Sequence, residues 1–240
     1  MANASIRAVF LDAGKTLFHE REDRAAVYAR FAMDAGGSAE TESSRTAMEL
    51  AFQELPHSID GHFRFSLSWF RAFNQKVLAE LQVPPPSMGK AQQRLLDHFQ
   101  NPASYQLYPE VLDVLSQLHQ LGLVTGIVSN WSEHLPELCR HLGIADHVHF
   151  IVASAELRAE KPDRAIFERA LFRGGVPAEQ TLHVGNNLEM DVRGALGAGL
   201  RAALLDREGV ANGSTPDGVP VVADLSALLP LVDQPAHVEP

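Results

Sequence analysis

The sequence predicts an α/β protein: a doubly wound parallel sheet with a helical bundle inserted after its first strand. Two observations predict this architecture. From Pro109 onward, short apolar runs alternate with helical patterns, as in strands joined by right-handed helical crossovers. Before that point, from about residue 20 to residue 100, the chain shows helical periodicity and no convincing strand.

The first apolar run, Ala8 to Leu11, ends on a carboxylate, Asp12. A run of β-forming residues bounded by turn residues predicts a buried strand. Ligands of open α/β sheets bind at the carboxyl ends of such strands. A lone Asp at this point more often only opens a turn, so the importance of Asp12 depends on the later strand ends.

The region after the first strand predicts four helices, at residues 24–35, 43–55, 65–81 and 89–99. Glycine pairs and prolines separate them, as expected of helix terminators. We therefore expect an α/β core at residues 1–18 and 101–233, a helical cap at 19–100 and a flexible tail at 234–240. Aromatic residues that recur at helical spacing are interpreted as the core of this bundle rather than as a surface for stacking substrate.

The second half of the chain predicts the remaining strands and helices. The apolar runs at 123–128, 149–152, 181–184, 202–205 and 219–222 are interpreted as strands, the last two at the sheet edge. Helical patterns lie at 110–121, from about 133, at 163–172 and at 189–198.

Composition restricts the choice of partners. Thirty acidic and twenty basic side chains give a net charge of −10 without any Lys/Arg block, so nucleic acid and anionic membranes are not expected partners. No apolar run approaches the roughly 18 residues of a membrane span. The single cysteine, Cys139, lies in an apolar helical pattern and fits a reducing compartment. We expect a cytoplasmic protein, either a monomer or a homodimer.

Polar residues follow the predicted strands at four places. They are Asp12 with Thr16, Ser129 with Asn130, Lys161 just before a helix, and Asn186 with Asp191. Because parallel strands bring their carboxyl ends to one edge of a sheet, we expect these residues to converge. The set combines an attacking oxygen with donors for phosphate oxygens and ligands for a divalent cation, which are the groups that phosphate-ester hydrolysis requires.

Four ordered segments resemble the motifs of the haloacid dehalogenase-like (HAD) hydrolase superfamily. They are Leu11-Asp12-Ala13-Gly14-Lys15-Thr16-Leu17, Val128-Ser129-Asn130, Glu160-Lys161-Pro162-Asp163, and Val184-Gly185-Asn186-Asn187 continuing to Asp191 and Ala195. Their order and the helical insertion after the first motif fit members with a four-helix, C1-type cap. The resemblance implies a Rossmann-like core and a small phosphorylated metabolite as the substrate.

The resemblance also implies a role for each matching residue. Asp12 would be the nucleophile that becomes an aspartyl-phosphate, and Lys161 would orient it and neutralise the transferring group. Thr16, Ser129, Asn130 and Lys161 would bind the phosphate. The implied cofactor is Mg²⁺, with Asp12, the Gly14 carbonyl, Asn186 and Asp191 around it.

Two departures from the family pattern affect the expected chemistry. Gly14 stands where the family's phosphatases have a general acid–base Asp, a loss that typically costs about 10²–10⁴-fold in rate. Asn186 stands where a metal-binding Asp is usual, and its amide oxygen can ligate a hard cation without adding charge. We therefore expect weaker Mg²⁺ binding and a phosphatase of reduced or narrow activity.

Two other functions remain open from the sequence. The protein would alternatively be a catalytically weak or silent relative that binds a phosphorylated ligand or partner. A 2-haloacid dehalogenase is less favoured, because no halide-binding signature is recognisable. His183, within the fourth motif's strand, is interpreted as a hydrogen-bonded structural residue rather than a general base, and His19 as a remote candidate for supplying the missing acid.

Overall fold

The computed structural model describes residues 5–38, 40–210 and 215–232 of the 240-residue chain. The described residues form two units. The first unit lies within Met1–His19, Leu107–Asn130 and Leu135–Pro240, and the second within Glu20–Gln106 and Trp131–His134. The chain thus leaves the first unit after residue 19 and returns at residue 107, whereas the sequence placed these boundaries after 18 and at 101. The tail expected at 234–240 lies outside the described residues.

Ten strands occur in the described residues, and six of them form the main sheet. In chain order they are β1 (Ala8–Leu11), β2 (Phe18–Glu20), β3 (Ser58–Ile59), β4 (His62–Phe63), β5 (Tyr105–Leu107), β6 (Val124–Ser129), β7 (Phe150–Ala153), β8 (Thr181–Gly185), β9 (Arg201–Leu205) and β10 (Val221–Val222). The six-stranded sheet has the order β10-β9-β8-β1-β6-β7.

Every pairing in this sheet is parallel, as the strand–helix alternation predicts. The central strand β1 lies between β6 and β8, with Leu11 opposite Ile127 on one side and Val184 on the other. The residues that follow β1, β6 and β8 therefore emerge at the same edge of the sheet.

Four helices make up most of the second unit: α1 (Arg24–Asp34), α2 (Thr41–Glu54), α3 (Leu67–Glu80) and α4 (Pro85–Gln100). Their apolar faces bury a shared core that includes Trp69, Phe73 and Leu78. The sequence placed the start of α4 at residue 89. The helix begins earlier because Pro85 occupies its first turn, where a proline's missing N–H has no partner to lose.

Six helices belong to the first unit: α5 (Val111–Gln120), α6 (Leu135–His141), α7 (Ser154–Leu157), α8 (Arg164–Gly174), α9 (Gly194–Gly197) and α10 (Leu229–Val232). A π-helical segment, Leu188–Arg193, precedes α9 in place of the single longer helix that the sequence predicts. The sheet packs through a core in which Phe10 meets Phe150 edge to face, with ring centroids 5.2 Å apart. Across the described ranges, each helix is too short or too polar to cross a lipid bilayer.

Four short strands of the described residues lie outside the main sheet, and the sequence pattern did not predict them. Strands β3 and β4 form an antiparallel hairpin around Asp60 and Gly61, both of which have positive φ. Strands β2 and β5 pair with each other in a separate two-stranded sheet. Strands of two or three residues are too short to show an alternating pattern, so hydrophobic periodicity gives no signal for them.

Gly126 offers a direct test of packing in the main sheet. A Cβ added at this buried position would overlap the ring of Phe150, so Gly126→Ala should destabilise the protein by about 1–3 kcal/mol. Chemical denaturation monitored by circular dichroism measures the effect.

Gly197→Ala is the matched control, because a Cβ there meets nothing within 4 Å and alanine favours the helix over glycine. This variant should be as stable as the wild type or slightly more stable. Equal midpoints for Gly126→Ala and the wild type would show that the Phe150 ring does not constrain this position.

Candidate active site

Asp12 lies directly after β1, and its side chain is almost completely buried at 7% exposure for the residue. Its backbone N–H donates to the Val184 carbonyl, 2.9 Å away, which continues the pairing of β1 with β8 by one residue. Its Oδ1 accepts hydrogen bonds from the Ser129 hydroxyl (2.9 Å) and the Lys161 ammonium (2.6 Å). Within the described residues, its Oδ2 has only a long contact of 3.5 Å with the Thr16 hydroxyl.

Lys161 lies between two carboxylates. Its Nζ donates to Asp12 Oδ1 at 2.6 Å and to Asp191 Oδ1 at 2.5 Å, and the residue is only 2% exposed. Helix α8 begins just after it, with the Asp163 carboxylate accepting from the Ala165 N–H at the helix start. A buried ammonium with two carboxylate partners is fixed in direction as well as in charge.

The Asn130 side chain bonds the backbone of Lys161, and its phosphate-binding role stays a prediction. Its Oδ1 accepts from the Lys161 backbone N–H (2.7 Å), and its Nδ2 donates to the Lys161 carbonyl (3.0 Å). Nδ2 also lies 3.6 Å from the Met190 sulfur. Both ends of the Asn130 amide group are therefore hydrogen-bonded. These bonds connect the segment that contains Lys161 to the end of β6.

Asp191 is held by three donors. Its Oδ1 accepts from Lys161 and from His183 Nε2 (3.1 Å), and its Oδ2 accepts from the Asn187 backbone N–H (2.9 Å). The Asp191 carboxyl group occupies the space that a Cβ at position 185 would need, so only glycine at this position leaves room for the carboxyl group. The Asn187 side chain in turn caps the π-helical segment that carries Asp191.

Burial and charge shift the three ionisable groups in different ways. Burial raises the pKa of Asp12 above its ordinary value, and the Lys161 ammonium only partly offsets this effect. Burial would also raise the pKa of Asp191, but Lys161 and His183 outweigh it and the pKa lies below the ordinary value. Burial alone would lower the pKa of Lys161, and the two carboxylates reverse this, so the residue stays protonated.

A divalent cation would have few charged ligands here. No group of three or more His, Cys, Asp or Glu side chains within residues 5–38, 40–210 and 215–232 is arranged to hold a metal ion. Asp191 already accepts three hydrogen bonds, whereas Asp12 Oδ2 is nearly free. Gly14 and the exposed Asn186 follow the adjacent strands β1 and β8 and offer neutral oxygens. This donor set fits weakly held Mg²⁺, which commonly retains several waters and one or two carboxylates.

The structure brings four of the predicted residues into one hydrogen-bonded cluster: Asp12, Ser129, Lys161 and Asp191. We call these four residues the lysine cluster. Thr16 is buried next to it, and the contact of its hydroxyl with the cluster is the long one with Asp12. Gly14 and Asn186 lie at the same sheet edge, and their proposed contacts with a metal remain predictions.

Arg207, which was not predicted from the sequence, supports the loop after β1. Its guanidinium donates to the Thr16 carbonyl (2.9 Å) and the Glu110 carboxylate (2.6 Å), and it lies over the Tyr108 ring at 3.6 Å. Arg207 follows the end of β9, so the same strand-end rule that selected Asp12 would have identified it.

Comparison with known proteins shows the family of this chain. Residues 6–199 match the family model described as haloacid dehalogenase-like hydrolase. The chain belongs to this family of hydrolases.

Three relatives illustrate the range within the family. A Danio rerio protein named haloacid dehalogenase-like hydrolase domain-containing protein 3 is 30% identical over 208 residues, covering 85% of this chain and 86% of that protein. A phosphoserine phosphatase from Thermus thermophilus is 32% identical over 145 residues, covering 58% and 57%. The structure of a 2-haloacid dehalogenase from Pseudomonas syringae superposes with a TM-score of 0.67 at 25% identity, covering 95% and 97%.

The opposite pKa shifts of the two aspartates predict opposite effects on stability. At pH 7 in EDTA, Asp191→Asn should lower the free energy of unfolding by about 3–5 kcal/mol, because it removes a favourably paired buried charge. Asp12→Asn should be as stable as the wild type or more stable, because folding disfavours this charge. Urea denaturation of both variants measures the difference.

The pH dependence follows from the same signs. Because the folded pKa of Asp12 is raised, the wild type loses stability as pH rises from the ordinary carboxyl value through the raised one, and Asp12→Asn lacks this loss. Because the folded pKa of Asp191 is lowered, its contribution is complete above the ordinary value and fades as pH falls below it. A larger loss of stability for Asp12→Asn than for Asp191→Asn at pH 7 would contradict this assignment.

Proposed function

We propose that this protein hydrolyses a small phosphorylated metabolite through an aspartyl-phosphate on Asp12, with Mg²⁺ as its cofactor. The observation that carries the proposal is the lysine cluster, in which a buried carboxylate is paired with an ammonium and a hydroxyl. A nucleophile, a positive charge and a hydroxyl donor at one sheet edge are the parts that phosphoryl transfer needs. The name of the phosphatase relative supports the same class of reaction.

The proposed reaction has two displacement steps. An oxygen of Asp12 attacks phosphorus, a new P–O bond forms, and the leaving oxygen departs with the electron pair of the broken P–O bond. Water then attacks the phosphorus, the Asp12 oxygen leaves as a carboxylate, and the proton of the water passes to solvent. Lys161 and Ser129 orient Asp12 in the first step, and Lys161 offsets the charge that gathers near phosphorus.

The cofactor would be held by Asp12, the Gly14 carbonyl and Asn186, with Asp191 beside it. When bound, Mg²⁺ would reduce the repulsion between the anionic nucleophile and the anionic substrate. Because Asn186 adds no charge, we expect weak metal binding, with half-saturation at higher metal concentration than a site with a carboxylate there would need.

Gly14 restricts the leaving group. Without an acid at this position, an alkoxide has to leave unprotonated, whereas an aryl or acyl leaving group is already stable as an anion. We therefore expect activity on aryl and acyl phosphates and little on alkyl phosphates.

Metal-dependent turnover provides the first test. Purified protein should hydrolyse p-nitrophenyl phosphate in the presence of Mg²⁺ at least about 10²-fold faster than glycerol phosphate, and Asp12→Asn should abolish both reactions. Equal and fast Asp12-dependent hydrolysis of both substrates would show that another group supplies the proton. No metal-stimulated turnover would favour a silent phosphate-binding relative, and chloride release from 2-chloropropionate would favour a dehalogenase.

Gly14→Asp tests the missing acid directly. Restoring a carboxylic acid at this position should raise the turnover of glycerol phosphate by up to about 10²-fold and change the turnover of p-nitrophenyl phosphate much less. The matched control is the double variant with Asp12→Asn, which should remain inactive. A variant with equal gains for both substrates would contradict the leaving-group argument.

A further inference from the structure

His183 occupies an apolar place in the sheet. It is fully buried in β8, opposite Phe10 of β1 and Ala202 of β9. Its ring packs edge to face with the ring of Phe167, with the ring centroids 5.2 Å apart. Its neighbours are core residues, and a leucine or phenylalanine would suit this environment without burying polar atoms. The presence of histidine therefore needs a reason beyond packing.

The hydrogen bonds of His183 define its protonation. Nε2 lies 3.1 Å from Asp191 Oδ1, and an ionised carboxylate only accepts, so Nε2 carries the proton. Within the described part of the chain, Nδ1 has no hydrogen-bond partner. A buried ring nitrogen without a hydrogen-bond partner is destabilising, so packing alone does not explain a histidine at this position.

The acceptor of the His183 bond is also the acceptor of the catalytic lysine. Asp191 Oδ1 receives both the His183 N–H and the Lys161 ammonium, at 3.1 Å and 2.5 Å. On the other side of Lys161 is Asp12 Oδ1. A continuous chain of hydrogen bonds therefore runs from a rigid position in the sheet to the nucleophile.

In the proposed reaction, the phosphorylation of Asp12 would make Lys161 more dependent on this chain of hydrogen bonds. When Asp12 takes up a phosphoryl group, its carboxylate becomes a neutral acyl group, and of the two carboxylates that pair with Lys161 in the described residues Asp191 alone stays ionised. The position of Lys161 in that state depends on how firmly Asp191 is held. The Asn187 N–H holds Oδ2, and His183 is the uncharged donor on Oδ1.

We propose that His183 is a positioning residue which, by donating to Asp191, keeps the Lys161 ammonium directed at Asp12. The proposal rests on the proposed function for its catalytic consequence. His183 does not touch the substrate and exchanges no proton during the reaction. In this proposal, His183 is not a fully hydrogen-bonded structural histidine. Its Nε2 donates to Asp191, and its Nδ1 has no partner in the described residues.

Two variants separate positioning from packing. His183→Gln keeps an N–H near the place of Nε2, and His183→Leu fills similar space without a donor. His183→Leu should lower kcat for p-nitrophenyl phosphate by about 10- to 100-fold with KM nearly unchanged, and His183→Gln should recover most of the wild-type kcat. Denaturation curves for both variants correct for any difference in folded fraction. Equal kcat values for His183→Leu and the wild type, or for the two variants, would overturn the proposal.

A readout without turnover keeps this test independent of the proposed function. In ¹⁵N NMR of the uncomplexed protein, His183 should show the neutral tautomer protonated at Nε2. The Lys161 ammonium protons should be protected from exchange in the wild type and His183→Gln but not in His183→Leu. A wild-type protein without phosphatase activity would contradict the proposed function but not the positioning role of His183. A His183 tautomer protonated at Nδ1, or unchanged protection of the Lys161 ammonium protons from exchange in His183→Leu, would contradict the positioning role.

Discussion

The site depends on one interaction, the Lys161 ammonium shared between Asp12 and Asp191. Two negative charges and one positive charge are buried together, so the ammonium is indispensable to both carboxylates. Taking charges out of water is costly, and only close pairing with further hydrogen bonds compensates for it. The surrounding structure supplies those bonds through Ser129, His183 and the backbone N–H of Asn187.

The carboxylates of Asp12 and Asp191 have different roles in the site because their surroundings differ. Asp191 has three donors and an acidic pKa, which suits a permanent anion that holds Lys161. Asp12 has one nearly free oxygen and a raised pKa, so its charge is poorly compensated when no ligand is bound. An oxygen held in this state gains more from a cation or a phosphorus atom than a fully hydrogen-bonded carboxylate would.

The two departures from the family pattern act on different parts of the chemistry. In the proposed reaction, Gly14 would supply no proton to the leaving group, whereas the lysine cluster does not depend on it. Asn186 would add no charge beside the proposed cation, whereas the pairing of Asp12 with Lys161 does not depend on it. The proposed function therefore combines bond formation to phosphorus with selectivity for the leaving group.

The sequence alone determined the class of fold, the parallel sheet, the inserted helices and the identity of the four residues in the lysine cluster. It did so because apolar periodicity marks strands and helices, and parallel strands bring their ends to one edge. Only the tertiary structure decided that Asn130 bonds the Lys161 backbone, that His183 donates to Asp191, and that Arg207 supports the loop after β1. These contacts join residues from 8 to 191 positions apart along the chain, so no local pattern encodes their direction or distance.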